Sequence, residues 1–184
     1  MASIDLQYVR NRQRTIRRTI ERSSPVLVYS GPVGIILIAA NKSESRNRIG
    51  QVIDRMACVS RGDFTACQIV HRQAAQNAYA IADTLSRGEE TLICDAAIQS
   101  VSTLLANRYY TPIGEPLSAE ATIVQLRETP RQDFMATIGP DGSTRTFDRI
   151  RYMGTTDTGG FQEESEKVLE QLNGTLRDQW ADYP

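Results

Sequence analysis

The sequence has few residues that could bind a metal or form a disulfide, and this scarcity limits its chemistry. Its three cysteines, Cys58, Cys67 and Cys94, form no CxxC pair, and an odd number cannot pair completely into disulfides. His71 is the only histidine, so a multi-histidine metal centre is excluded. Because no signal-peptide pattern precedes the cysteines, we expect a reducing, cytoplasmic setting.

Long apolar runs and phosphate-binding loops are also missing. The longest apolar run, residues 33–40, is far shorter than the roughly 20 residues that a membrane-spanning helix needs. The glycines at 139–142 and 159–160 do not fit the GxxxxGK(S/T) pattern, and they are predicted to form a hairpin turn and the entry to the last helix. We therefore expect no membrane contact and no cofactor.

Cys67 and His71 stand four residues apart, which is the spacing of half a metal site on one helical face. Zinc needs three or four protein ligands, and no second pair accompanies these two residues. Packing with a hydrogen bond is the predicted role of the pair, and no metal site is expected. A histidine-assisted serine or cysteine nucleophile would have to use His71 itself.

Charge is unevenly distributed along the chain, although the formal net charge is only −1. Six arginines crowd the N-terminus: Arg10, Arg12, Arg14, Arg17, Arg18 and Arg22. Acidic residues dominate the C-terminus: Glu163, Glu164, Glu166, Glu170, Asp178 and Asp182. The chain is thus basic at one end and acidic at the other.

Hydrophobic periodicity predicts an α+β chain, and the length of 184 residues suits a single domain over 1–184. In chain order the predicted elements are an amphipathic helix over 6–22, strands over 26–29 and 33–40, a third strand through Ile53 and 56–59, helices over 64–85 and from about Asp95 to Leu105, strands over 119–126, 134–138, 144–147 and 150–153, and a helix over 161–180. Strand 33–40 is so apolar that both its faces should be covered. Asp95 is expected to cap the second long helix or to charge its first turn. The order favours two mainly antiparallel sheets with helices beside them.

Seven short segments carry a resemblance to a known family by their order and spacing. They are residues 17–22, 34–41, 48–49, 53–55, 62–64, 108–112 and 152–154. Together they resemble a bacterial proteasome α-type subunit. The resemblance implies the N-terminal-nucleophile hydrolase fold, a four-layer α-β-β-α sandwich of two antiparallel sheets. Members of the family continue beyond the last helix found here. Either one sheet therefore has an exposed edge, which is an aggregation hazard unless a neighbour covers it, or the chain is a shortened relative.

The same resemblance implies that this chain does not catalyse proteolysis. A catalytic subunit of the family exposes an N-terminal threonine whose amine acts as base, with an acid and a lysine nearby. Here about Ser24 stands at the threonine position, Ala40 at that of the acid and Arg48 at that of the lysine. Arginine keeps its proton and cannot perform the proton chemistry of lysine. We expect no catalytic residue, the open alternative being a self-processing peptidase that uses Ser24.

Arg48 is predicted, by resemblance, to line an activator-docking pocket. In α-type subunits the matching lysine receives the C-terminal carboxylate of an activator such as a ring ATPase. A guanidinium can hold a carboxylate with two hydrogen bonds, so Arg48 is suited to that role. The alternative is a solvated loop arginine.

The resemblance implies that copies of this chain form a homo-oligomeric ring, which stacks on a catalytic β-type ring. The N-terminal helix is then predicted to lie on the outer face of the ring, and residues 1–5 are predicted to form a gating tail. The ring-face residues are Arg10, Arg14, Arg17, Arg18 and Arg22. Ile16, Ile20, Tyr109 and Tyr110 are candidate subunit contacts, with plain packing as the alternative. Two alternative interpretations of this helix stay open: an ordinary solvated cationic helix and a contact with nucleic acid. The sequence supports the nucleic-acid contact only weakly, because no aromatic residues are interleaved with the arginines.

Overall fold

The chain folds into helices and two antiparallel sheets, and it is therefore α+β as predicted. A computed structural model describes residues 6–31, 34–40, 47–84, 90–111, 114–128, 132–147, 150–153 and 160–180. The helices are α1 (Leu6–Glu21), α2 (Phe64–Ala82), α3 (Glu90–Tyr110) and α4 (Phe161–Trp180). The strands are β1 (Val26–Gly31), β2 (Gly34–Ala39), β3 (Ile49–Ile53), β4 (Met56–Gly62), β5 (Ala119–Gln125), β6 (Phe134–Ile138), β7 (Thr144–Phe147) and β8 (Ile150–Met153).

The larger sheet has the strand order β3-β4-β5-β6-β7, and each neighbouring pair is antiparallel. Side chains alternate between its faces, as the two-residue period of a strand requires. Cys58 and Ile123, which stand opposite each other, pack toward α2 and α3, whereas Val59 and Val124 face the other way. Both faces of this sheet are therefore covered.

The smaller sheet has the order β2-β1-β8 and packs face to face on the larger one. Val26 and Val28 of β1 are fully buried and share one apolar cluster with Val59, Val124 and Met135 of the larger sheet. Since β-branched residues fill the pleated surface well, these valines suit the space between two sheets.

Helices α2 and α3 pack on each other and on the outer face of the larger sheet. Ala74, Ala78 and Ala97 are fully buried there, and their small side chains let the helices approach closely. Asp63 caps α2 by accepting a hydrogen bond from the backbone N–H of Ala66 at 3.1 Å. None of the helices in the described residues combines the length and the hydropathy of a bilayer-spanning helix.

Three predictions about the elements are wrong. The predicted third strand is two antiparallel strands, β3 and β4, because Asp54 and Arg55 form a tight turn in which Arg55 has a φ of 60°. Asp95 neither caps nor charges the first turn of α3, because that helix begins at Glu90. Strand β2 is half-buried along its length, since it lies at the edge of the smaller sheet.

Candidate functional site

Helix α1 contacts α3, β4 and β5, and Arg12 anchors it. Its guanidinium donates to the carbonyl oxygen of Gly114 at 2.8 Å and to that of Arg108 at 3.1 Å. The Arg108 carbonyl belongs to the last turn of α3, where helical carbonyls lack partners within the helix. Arg12 is only 8% exposed, so one of the six N-terminal arginines holds the helix in place instead of facing solvent.

The apolar side of α1 lies on the same surface as Arg12. Ile16, Ile20 and Tyr109 are at most 3% exposed and form one cluster within the chain. These three side chains therefore pack within the chain, as the alternative of plain packing predicts, and their contact with another subunit stays a prediction. Tyr110 is 58% exposed and meets Tyr109 edge to face with ring centroids 5.1 Å apart, so it stays a candidate subunit contact.

The opposite side of α1 is an exposed arginine face. All five predicted ring-face residues are exposed: Arg10, Arg14, Arg17, Arg18 and Arg22. Gln13 and Glu21 line a shallow groove together with four of these arginines. The face thus presents guanidinium donors to solvent at successive helical turns, an arrangement that suits a partner rich in carboxylates or phosphates.

The turn between β6 and β7 lies near this face. The pKa of Asp141 is lowered although its partial burial acts to raise it, because the hydrogen bonds that Ser143 donates and the charge of Arg17 stabilise the carboxylate. Ser143 donates to the Asp141 carboxylate from its hydroxyl at 2.6 Å and from its backbone N–H at 3.0 Å. The carboxylate of this turn is therefore within the electrostatic influence of Arg17.

Arg48 lies just before β3 and points into the protein. It is 7% exposed, and its two terminal nitrogens donate to the carbonyl oxygen of Gly62 at 3.2 and 3.3 Å. The alternative of a solvated loop arginine is therefore wrong. Gly62 itself has a φ of +130°, and a Cβ there would collide with the carbonyl oxygen of Ser118. Activator docking by Arg48 stays a prediction.

Polar side chains around Arg48 form a small buried network. Arg48 reaches the sulfur of Cys67 at 3.7 Å, and the Ser60 hydroxyl lies 2.8 Å from His71 Nε2. Burial raises the pKa of the Cys67 thiol, while the hydrogen bond with Ser60 and the charge of Arg48 act to lower it. Burial lowers the pKa of His71 to about 4.

The network has the geometry of a packed interior and does not assemble a metal site. Cys67 and Ser60 are both fully buried, so neither presents a nucleophile to solvent. Within the described residues, no group of three or more His, Cys, Asp or Glu side chains could hold a metal ion. The predicted role of Cys67 and His71 in packing and hydrogen bonding is confirmed.

Ser24 and Ala40, which the resemblance placed at the positions of the threonine and the acid, lie near each other at the start of β1. Ser24 follows α1 and is 8% exposed. The Ala40 N–H donates to the carbonyl oxygen of Pro25 at 3.1 Å, so the end of β2 lies beside the start of β1. Ser24 is preceded in the chain by a packed helix, and Ala40 supplies no carboxylate.

Sequence reasoning missed the burial of Arg12 and the pairing of Ser60 with His71. A signal for Arg12 existed, because Arg12, Ile16 and Ile20 repeat at four-residue intervals and so share one helical face. Ser60 gave no such signal, because its partner lies across the interface between β4 and α2. Of the predicted residues, the structure brings the ring-face arginines together on one surface and places Arg48 elsewhere.

Comparison with known proteins confirms the resemblance to bacterial proteasome α-type subunits. No protein-family model matches the chain. A protein named proteasome subunit alpha from an Arthrobacter species is 24% identical over 165 residues, 86% of this chain and 69% of its own length. A protein of the same name from Paenarthrobacter aurescens is 26% identical over 80% of this chain. Another from Xylanimonas cellulosilytica is 24% identical over 96% of this chain.

The chain is shorter than these relatives. The matched regions cover 62% of the Paenarthrobacter protein, 66% of the Xylanimonas protein and 55% of a further relative from Renibacterium salmoninarum. The chain therefore spans about half to two thirds of the curated relatives that it matches.

Proposed function

We propose that this chain is a non-catalytic α-type ring subunit of a proteasome-like protease in the cytoplasm. Residues 1–184 would form one domain with the four-layer α-β-β-α arrangement of the N-terminal-nucleophile hydrolases. Copies of the chain form a ring that stacks on a proteolytic β-type ring, admits substrates and docks an activator. The similarity to curated proteasome α subunits and the face-to-face packing of the two sheets support this proposal.

The observation that carries the proposal is the packed helix directly ahead of β1. A proteasome-type nucleophile must be the first residue of the mature chain, since its free amine serves as the base. Here Ser24 follows α1, which Arg12, Ile16 and Ile20 hold against the end of α3. A folded helix at this point suits an outer-ring subunit and opposes release of Ser24 as a new N-terminus.

The first test is the particle formed by the purified chain, alone and mixed with a catalytic β-type proteasome subunit. We expect rings or stacked cylinders by negative-stain microscopy, and peptide hydrolysis only when the catalytic subunit is present. A monomer in both samples would overturn the proposal. Intact-mass measurement tests the peptidase alternative, because loss of residues 1–23 from the wild type but not from Ser24→Ala would show self-processing.

Gating is assigned to residues 1–5, which lie outside the described residues. Their removal is expected to raise the rate at which the assembled cylinder hydrolyses a protein substrate and to leave hydrolysis of a small peptide nearly unchanged. The ring mass of the shortened chain serves as the control. Equal rates for both substrates in the shortened and complete chains would remove the gating role.

Activator docking by Arg48 requires a change in the contacts seen here. The guanidinium would have to exchange the Gly62 carbonyl for the carboxylate of the activator, or hold both with its five donors. We expect Arg48→Lys to keep part of the binding of a ring ATPase and Arg48→Ala to lose it, with ring mass as the control for folding. Unchanged activator binding by folded Arg48→Ala rings would remove this role.

A second candidate function is nucleic-acid binding by the exposed arginine face. It predicts an affinity that falls steeply as salt rises, because binding to phosphates releases counterions. Titration with DNA and RNA at several salt concentrations tests it, and Arg10→Ala/Arg14→Ala is the informative variant. No binding at low salt would exclude this function.

A further inference from the structure

Two rows of opposite charge stand on the exposed faces of α1 and α4. The arginine row consists of Arg10, Arg14 and Arg17, and the glutamate row consists of Glu163, Glu166 and Glu170. All six side chains are exposed. At about 100° per residue, each row lies within an arc of about 60° around its helix, so each is a single stripe.

The spacings of the two rows match in opposite directions. The arginines advance by four and then three residues along α1, and the glutamates do so when α4 is read from Glu170 back to Glu163. At 1.5 Å per residue, these steps are about 6 and 4.5 Å in both helices. An antiparallel alignment therefore sets three arginines opposite three glutamates at once.

We propose that α1 of one copy of this chain pairs antiparallel with α4 of a second copy, with Arg10 opposite Glu170, Arg14 opposite Glu166 and Arg17 opposite Glu163. The pairing deepens the ring proposed above and rests on it. Because the two rows are different surfaces of the same chain, the contact is head to tail. Head-to-tail contacts close into rings when the rotation between neighbours permits it.

Charge complementarity is the reason for choosing a second copy as the partner. Every copy that offers an arginine row also offers a glutamate row, so a ring would cover all rows of both kinds. Glu163 also forms an exposed ion pair with Lys167 at 2.9 Å, and this contact is weak enough in water to be exchanged. Exposed pairs are individually weak, so the rows set register and orientation while other surfaces supply part of the affinity.

Charge reversal tests the pairing. The variants are Arg10→Glu/Arg14→Glu on α1 and Glu166→Arg/Glu170→Arg on α4. Arg17 is left in place because its charge also acts on Asp141 within the chain. We expect each double variant to weaken self-association on the order of 10- to 100-fold by analytical ultracentrifugation, because like charges would face each other. The fourfold variant, which exchanges the two signs, should regain most of the association.

Mixing the two double variants gives the sharper result. In the mixture, the native glutamate row of one variant faces the native arginine row of the other, and the two reversed rows are also opposite in sign. The expected result is that the mixture regains most of the association that each double variant loses alone, and a mixture that associates no more tightly than either variant alone would overturn the pairing. The control is Arg72→Glu/Arg145→Glu, which makes the same change of charge at exposed arginines of α2 and β7 and should leave the particle mass unchanged.

Two further outcomes separate this pairing from the ring itself. If rings persist at unchanged affinity in both double variants, the pairing is overturned and the ring stands. If the wild type is a monomer, alone and with the catalytic subunit, both proposals are overturned. Circular dichroism checks that each variant folds. A salt titration of the wild type needs no variant, and self-association that does not weaken toward about 1 M salt, where the Debye length is ~3 Å, would overturn the pairing.

Discussion

Arg48 shows how a side chain for which the resemblance predicts docking can also serve a structural purpose. Its two hydrogen bonds to Gly62 tie the segment before β3 to the end of β4. We predict that Arg48→Ala lowers the free energy of unfolding by about 2 kcal/mol, because it removes charge-assisted bonds and leaves the Gly62 carbonyl without that donor. Urea denaturation measures the change.

The matched control for Arg48 is Arg145→Ala, which truncates an exposed arginine of β7. Surface substitutions of this kind usually change stability by less than ~0.5 kcal/mol. Equal stability of Arg48→Ala and Arg145→Ala would show that the buried geometry of Arg48 contributes nothing to folding.

His71 should make stability depend on pH. Its pKa is about 4 in the folded chain and 6.5 as the reference value, so the unfolded chain binds more protons between these pH values. The contribution of uncharged His71 to the free energy of unfolding is therefore fully present above pH 6.5, and it is lost as the pH falls toward 4. The total loss is at most about 3 kcal/mol.

The His71 effect is measured by comparing urea denaturation of the wild type and His71→Gln at several pH values from 7 down to about 5, where carboxylates with ordinary pKa values are still mostly ionised. Since His71 is the only histidine, the variant removes all histidine titration. The wild type should lose stability faster over this range, and parallel curves would contradict the burial of an uncharged imidazole.

Helix α1 depends on a contact that its amphipathic pattern alone did not reveal. We predict that Arg12→Ala loosens α1, with a loss of about 2 kcal/mol in unfolding free energy, because it removes the bond to Arg108 in the last turn of α3 and the bond to Gly114 beyond that helix. Hydrogen exchange of the α1 amides should accelerate. Arg10→Ala, an exposed arginine of the same helix, is the control, and equal exchange in both variants would show that Arg12 does not hold the helix.

The turn between β6 and β7 is fitted to α3 at Gly142. This glycine has a φ of +78°, and a Cβ would lie 2.5 Å from the Ser102 carbonyl oxygen and 2.7 Å from the Ala106 Cβ. The Ser102 hydroxyl also donates to the Gly142 carbonyl at 2.5 Å. We predict that Gly142→Ala lowers the melting temperature far more than Gly160→Ala does.

Gly160 is the matched control because it separates backbone strain from collision. Its φ is +84°, yet a Cβ there meets nothing within 4 Å, so Gly160→Ala carries only the conformational cost of about 1–2 kcal/mol. Similar melting temperatures for the two variants would mean that the turn moves away from α3 at little cost.

Most elements were predictable from the sequence, and the errors share a physical cause. Strands β5 to β8 and helices α1, α2 and α4 begin within one residue of their predicted positions, because alternating and helical periods are local properties. The turn at Asp54 and Arg55 was missed because it contains no glycine or asparagine, the usual signals of a two-residue hairpin. The burial of Arg12 and Arg48 depends on carbonyl groups far along the chain or in another element, which periodicity cannot locate.

The arrangement of the whole molecule could be predicted only through the resemblance. Periodicity favoured two sheets, but the placement of β8 beside β1 joins residues more than 100 positions apart. The candidate site divides in the same way. The exposed arginine face follows from composition and helical period, whereas the inward direction of Arg48 and the covering of Ile16, Ile20 and Tyr109 follow from tertiary packing.

The apolar clusters indicate what α1 contributes to the molecule. Neither of the two larger clusters contains a residue of α1, which belongs only to the small cluster with Tyr109. We predict that a chain lacking residues 1–22 keeps its sheets and the α2–α3 layer by circular dichroism, melts at a lower temperature and exposes the last turn of α3 to hydrogen exchange. Because the deletion also removes the arginine row, its self-association should weaken as well. Global unfolding of the shortened chain would show instead that α1 belongs to the folding core. The domain would then need α1 in order to fold, whether or not α1 also serves as a surface for assembly.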